Sequence, residues 1–138
     1  MDTHLNAHLN FKDNARQAMT YYHSIFGGDL RLSTYKDFHA SQDPGEDDKI
    51  MHAELDTGKG ILLMAADTPD RMDYQPPAGF TLALVGSDEK ELKSFFDQLS
   101  RGGTVSMPLG KSQWGATFGM CTDQFGISWM VNIGAPER

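Results

Sequence analysis

The chain has 138 residues, a length that suits one compact domain with a real core. Its net charge is −7, from 12 basic and 19 acidic residues, and the basic ones are scattered, which argues against a nucleic-acid partner. No apolar run approaches the roughly 20 residues of a membrane span, no signal-peptide pattern is present, and the lone Cys121 has no partner for an internal disulfide, so a soluble, cytoplasmic protein without membrane contact is expected.

Along the chain, Leu5, Ala7, Leu9 and Phe11 alternate with Asn6, His8 and Asn10, the period of a half-buried strand. Asp13 and Asn14 supply cap chemistry for a helix from about Ala15 to Phe26, which Gly27 and Gly28 stop. Strand-like runs follow near Leu30 to Tyr35, Ile50 to Leu55 and Ile61 to Ala65. Ser41 to Asp48 reads as a solvated loop, and Asp56 to Gly60 as a hairpin turn.

A polar, proline-bearing segment, Asp67 to Gly79, leads to a second copy of the same order. The strand Phe80 to Val85 precedes a helix from Asp88 to Arg101, with Ser87 or Asp88 as its cap. Strands are predicted at Thr104 to Met107, Thr117 to Thr122 and Ile127 to Ile133, with a turn from Asp123 to Gly126 between the last two. The opening strands are offset by 75 positions (Leu9 to Leu84), the helix ends by 74 (Tyr21 to Phe95) and the closing strands by 66 (Gly60 to Gly126). The pattern is βαβββ twice, an α+β fold with mostly antiparallel sheets. Two such halves, about 1–67 and 79–134 with a linker near 68–78, are expected to share one core as a single domain.

This grammar resembles the vicinal oxygen chelate superfamily, which holds the glyoxalase I, bleomycin-resistance and extradiol dioxygenase proteins, and within it the PhnB-like branch. The resemblance rests on Asn14 to Met19, Tyr22, Phe26 to Gly28 and Met51 to Leu55. It continues through Gly102-Gly103, Met107 to Leu109, Trp114-Gly115, Phe118-Gly119 and Asp123 to Asn132. It implies a U-shaped mixed or antiparallel sheet around a central cavity, a small-molecule ligand and a homodimer. Ubiquinone methyltransferase is a name attached to similar chains, but no glycine-rich cofactor-binding strand–helix motif accompanies it here.

The resemblance also implies four metal-ligand positions, one on the first and one on the last strand of each half. Carried over by strand register, they are Asn6, Met64, Thr81 and Met130. An amide, a hydroxyl and two thioethers replace the imidazoles and carboxylates that zinc, nickel, iron or manganese prefer. All five His lie in the first half, so no metal or other cofactor is expected, a divalent ion held by His8, His52 and Glu54 being the alternative. Strand alternation puts His8, His52 and Glu54 on faces turned from the helix. His52 or His8 then reads as a general base with Glu54 as its orienting carboxylate, or all three belong to a solvated or dimer-buried strand face. Asn6, Met64, Thr81, Trp114, Phe118 and Met130 are the candidate ligand-contact residues, one wall polar and the other apolar and sulfur-rich. The functions these residues leave open are a small-molecule binder, a metal-free lyase, isomerase or transferase, and a metal-dependent glyoxalase or dioxygenase.

Overall fold

Strand and helix alternate as βαβββ in each half of the computed structural model, which describes residues 2–113 and 115–134. The chain divides into two compact units, Met1–Pro76 and Pro77–Arg138, each with one helix on one four-stranded sheet.

In the first unit the elements are β1 (Ala7–Phe11), α1 (Ala15–Phe26), β2 (Asp29–Thr34), β3 (Ile50–Asp56) and β4 (Leu62–Asp67). The sheet order is β1-β4-β3-β2, with β1 parallel to β4 and the other pairs antiparallel. Helix α1 buries Ala15, Ala18, Met19, Tyr22 and Ile25, the 3–4-residue spacing of one helical face. The sheet buries Leu9, Phe11, Ala53, Leu55, Leu63 and Ala65, so the alternate residues lie on its other face. The first strand begins two residues later than its alternation predicts, and Leu5 is fully exposed.

Three readings of this half are corrected. Asn14 occupies the N-cap of α1 but makes no side-chain cap bond. The carboxylate of Asp67 does that work: one oxygen accepts the Ala15 N–H at 2.9 Å and the other the Ile50 N–H at 2.8 Å. Asp67 is therefore the buried last residue of β4, not the start of a polar linker. Within the expected loop, Pro44–Glu46 forms a short 3-10 helix capped by Asp43, and Glu46 is buried with its carboxylate accepting the Asp70 N–H at 3.3 Å.

The second unit holds β5 (Leu82–Gly86), α2 (Glu89–Ser100), β6 (Thr104–Lys111), β7 (Thr117–Thr122) and β8 (Ser128–Ile133), in sheet order β5-β8-β7-β6. Again the first and last strands run parallel and the remaining pairs antiparallel. Phe80, predicted to open the first of these strands, lies outside it and is 52% exposed. Asp88 caps α2 by accepting the Glu91 N–H at 3.1 Å. Helix α2 buries Leu92, Phe96 and Leu99, and the sheet buries Leu84, Cys121, Trp129 and Val131. β6 runs four residues beyond the predicted Met107, and its pairing with β7 shifts register twice, between Val105 and Met107 and between Met107 and Gly110. Those irregularities hide the strand from a period-2 reading.

The second glycine of the pair after each helix has the same geometric cause in both units. A Cβ on Gly28, which sits at φ +88°, would lie 2.5 Å from the Asp56 carbonyl oxygen. A Cβ on Gly103 would overlap the Thr122 carbonyl oxygen in the same way. In both units the chain leaving the helix presses against the turn joining the last two strands. Those turns match too: the Thr57 N–H bonds the Ile61 carbonyl at 3.1 Å, and the Asp123 N–H bonds the Ile127 carbonyl at 2.9 Å.

Candidate functional site

In the first unit, register collects the chemistry-bearing residues on the sheet face away from α1. His8 stands opposite Met64, Met64 opposite Glu54, and Glu54 opposite Arg31, one row across all four strands. In the adjacent row His52 faces Ser33. His8 and Arg31 are exposed; His52, Glu54 and Met64 are half-buried. His52 and Glu54 are i, i+2 neighbours, roughly 6.7 Å apart along the strand. The nearest cross-strand charge to Glu54 is Arg31, an opposite-sign pair of the kind that steadies an antiparallel ladder. Asn6 is exposed and immediately precedes β1, so the first-strand residue level with Met64 is His8.

The second unit builds a different surface in the equivalent place. Ala83 stands opposite Met130, Met130 opposite Met120, and Met120 opposite Met107. Phe118 pairs with Asn132 in the next row. Met120, Met130 and Phe118 are half-buried and Met107 is exposed. Thr81 immediately precedes β5, as Asn6 precedes β1, and is half-buried. Trp114 lies outside the described residues.

A second constellation was not singled out from the sequence. Lys49 bridges Asp13 at 3.0 Å and Asp70 at 3.1 Å. Pairing with Asp13 above all holds its ammonium charged well above the ordinary lysine range. The Tyr35 hydroxyl donates to the Asp67 carbonyl oxygen at 2.9 Å, and burial pushes the phenol up. Asp13, Arg16, Asp48, Lys49 and Asp67 line a depression of about 350 Å³ beside the start of α1. It includes none of the predicted site residues. Lys49 is spent on Asp13 and Asp70, and Asp67 on the Ala15 and Ile50 N–H groups, so the depression reads as the seam that fixes α1 to β3 and β4. The signal that could have located it is the positive φ of Asp13, 70°, which appears only in three dimensions. In the second unit Asp123 is similarly buried: one oxygen accepts the Phe125 and Ile127 N–H groups at 2.8 and 3.0 Å, the other the Trp129 indole N–H at 2.9 Å.

Residues 3–132 match the family model described as 3-demethylubiquinone-9 3-methyltransferase. The chain belongs to that PhnB-like family. Protein YjdN of Escherichia coli is 30% identical, over 94% of each chain. The crystal structure of protein PA1353 from Pseudomonas aeruginosa is 38% identical over 96% of this chain and 98% of that one, with a TM-score of 0.83. The PhnB protein from Bacillus cereus is 25% identical over 96% of this chain and all of that one, with a TM-score of 0.73. A glyoxalase/bleomycin resistance protein/dioxygenase family enzyme from Burkholderia phytofirmans, at 12% identity and a TM-score of 0.60 over 93% of this chain and 95% of that one, shares the fold alone.

Within this PhnB-like frame the four positions carried over as metal ligands hold one amide, one hydroxyl and two thioethers. Among the described residues, no group of three or more His, Cys, Asp or Glu is placed to hold a metal ion. No helix among them is long and apolar enough to cross a membrane.

Proposed function

We propose that the protein binds a small amphipathic molecule at a sheet face turned away from the helix of its unit, without a hard divalent metal. The observation that carries this reading is the contrast between the faces. One presents His8, Glu54, Arg31 and His52 around Met64; the other presents Met120, Met130 and Phe118 beside Thr81. A polar surface fixes orientation and an apolar, polarizable surface supplies contact area. The donor set at Asn6, Met64, Thr81 and Met130 suits neither zinc nor nickel, iron or manganese, which supports the metal-free half of the proposal. In this reading the protein acts as a cytoplasmic homodimer.

The second reading is metal-free catalysis, favoured by His52, Glu54 and His8 sharing one face. Imidazole titrates nearest neutral pH, so His52 or His8 would take a substrate proton while Glu54 orients or stabilises the cation.

Elemental analysis per protomer of protein purified without a histidine tag comes first, followed by a ligand screen read by tryptophan fluorescence. Stoichiometric binding that survives His52→Ala and EDTA supports the binder. Turnover abolished by His52→Ala or Glu54→Gln, and indifferent to EDTA, replaces it with the catalytic reading. A stoichiometric divalent metal in the purified protein overturns both.

A further inference from the structure

We propose that Met107, Met120 and Met130 form a thioether site for a soft monovalent cation, Cu(I) or Ag(I), on the open face of the second sheet. The three residues come from three adjacent strands, β6, β7 and β8, and stand in one unbroken row: Met107 opposite Met120, Met120 opposite Met130. Directly opposed residues of antiparallel strands have Cα atoms about 4.5–5.5 Å apart, and the outer two are separated by about 9.5 Å. Three rotatable bonds in each Met let the outer sulfurs lean over Met120, so three thioethers can converge on one ion without backbone movement.

Alternation fixes the face. Met120 lies between buried Gly119 and Cys121, and Met130 between buried Trp129 and Val131, so both methionines lie opposite the α2 side. Met107 would be out of phase in a regular strand. The register shift between Val105 and Met107 is what sets it against Met120, so the irregularity assembles the row. Ala83 ends the row beyond Met130, and Phe118 offers an aromatic ring one pleat away on the same face.

The chemistry of the donors selects the ion. Thioethers are soft and neutral: they favour Cu(I) over hard or borderline divalent ions, and unlike thiolates they need no deprotonation. Binding is therefore insensitive to pH in the range where imidazole sites are lost, and the metal stays monovalent, with no electron transferred. The inference shares Met120 and Met130 with the small-molecule reading but does not rest on it, since Cu(I) binding is read without any organic ligand of the protein.

The test titrates the untagged protein with Cu(I) under anaerobic reducing conditions against the competitor bathocuproine disulfonate. Ag(I) serves as a redox-inert probe of a sample labelled at the methionine methyl carbons. One equivalent of ion per chain is expected to shift the methyl signals of Met107, Met120 and Met130 and to leave those of Met19, Met51 and Met72 in place. Met107→Leu, at an exposed position, and Met120→Leu, close in volume, each weaken Cu(I) binding by more than about tenfold, the loss typical of removing even an outer-shell partner. His52→Ala and Cys121→Ser leave it unchanged. Retention of no Cu(I) by the wild type against the competitor overturns the proposal. So does binding that survives Met107→Leu and Met120→Leu, or leucine variants that alter only the oligomeric state.

Discussion

The Oδ1 atom of Asp67 accepts the N–H of Ala15 at 2.9 Å across 52 residues of chain, and Oδ2 of the same carboxylate accepts the N–H of Ile50 at 2.8 Å. One buried side chain thus closes the start of α1 and the start of β3 from the end of β4. Asp67→Asn keeps one acceptor and turns an NH2 toward the other N–H, leaving a buried donor unsatisfied. A loss of about 1–3 kcal/mol is expected in urea unfolding, and a larger one for Asp67→Ala. An unchanged midpoint for both would show that water substitutes for the carboxylate.

Gly27 and Gly28 adjoin in sequence, both at positive φ, and differ in their surroundings. A Cβ on Gly27 meets nothing within 4 Å, whereas one on Gly28 meets the Asp56 carbonyl oxygen at 2.5 Å. Gly27→Ala carries only the strain of a backbone at φ 73°, ψ −158°, a region essentially confined to glycine, about 1–3 kcal/mol. Gly28→Ala adds a backbone clash and is expected to cost about 3 kcal/mol or more. Equal thermal shifts for the two variants would refute the close approach.

Burial raises the Cys121 thiol above its ordinary value of 9.0. A raised acid favours the folded state while it is neutral, so its contribution is complete below the unfolded-state value and disappears as pH rises through the folded-state value. Stability is therefore expected to fall on the alkaline side of pH 9, and Cys121→Ala to flatten that decline. Thiol labelling at pH 8 is expected to track unfolding. Fast labelling of native protein would place the thiol at the surface.

The Arg101–Asp97 ion pair, at 2.8 Å, joins two side chains about two-thirds exposed. Arg101→Ala is expected to change stability by about 0.5 kcal/mol or less. Lys49, whose side chain is only 13% exposed, holds two carboxylates and loses packing as well as charge when truncated. Lys49→Ala is expected to exceed Arg101→Ala in chemical denaturation, and the reverse order would count against the seam beside α1.

What could be read from the sequence follows from what leaves a local trace. Periodicity and the glycine pairs marked α1 to the residue, because an amphipathic face and a stop signal are written in consecutive positions. The repeat carried the element order along the chain, βαβββ twice, but not which strands are neighbours in the sheets. Asp67 was missed because its partners lie 52 and 17 residues away and it sits where polar residues begin. β6 was cut short because its two register shifts break the alternation and Pro108 and Gly110 resemble a loop. Of the candidate site residues, the face shared by His8, His52 and Glu54 was readable from period 2. Their neighbours across the sheet were not: the row His8–Met64–Glu54–Arg31 exists only through pairing.

The parallel pairing of first and last strands in each unit has a consequence for synthesis. While residues up to 61 are emerging, β1 has neither its sheet neighbour nor the helix cap, because both belong to β4. The first unit gains its closing strand only once Asp67 has been made, and the second repeats the delay until Ile133. Non-local pairing of this kind slows folding, and a nascent chain stopped short of β4 is left with an apolar, unpaired strand open to aggregation.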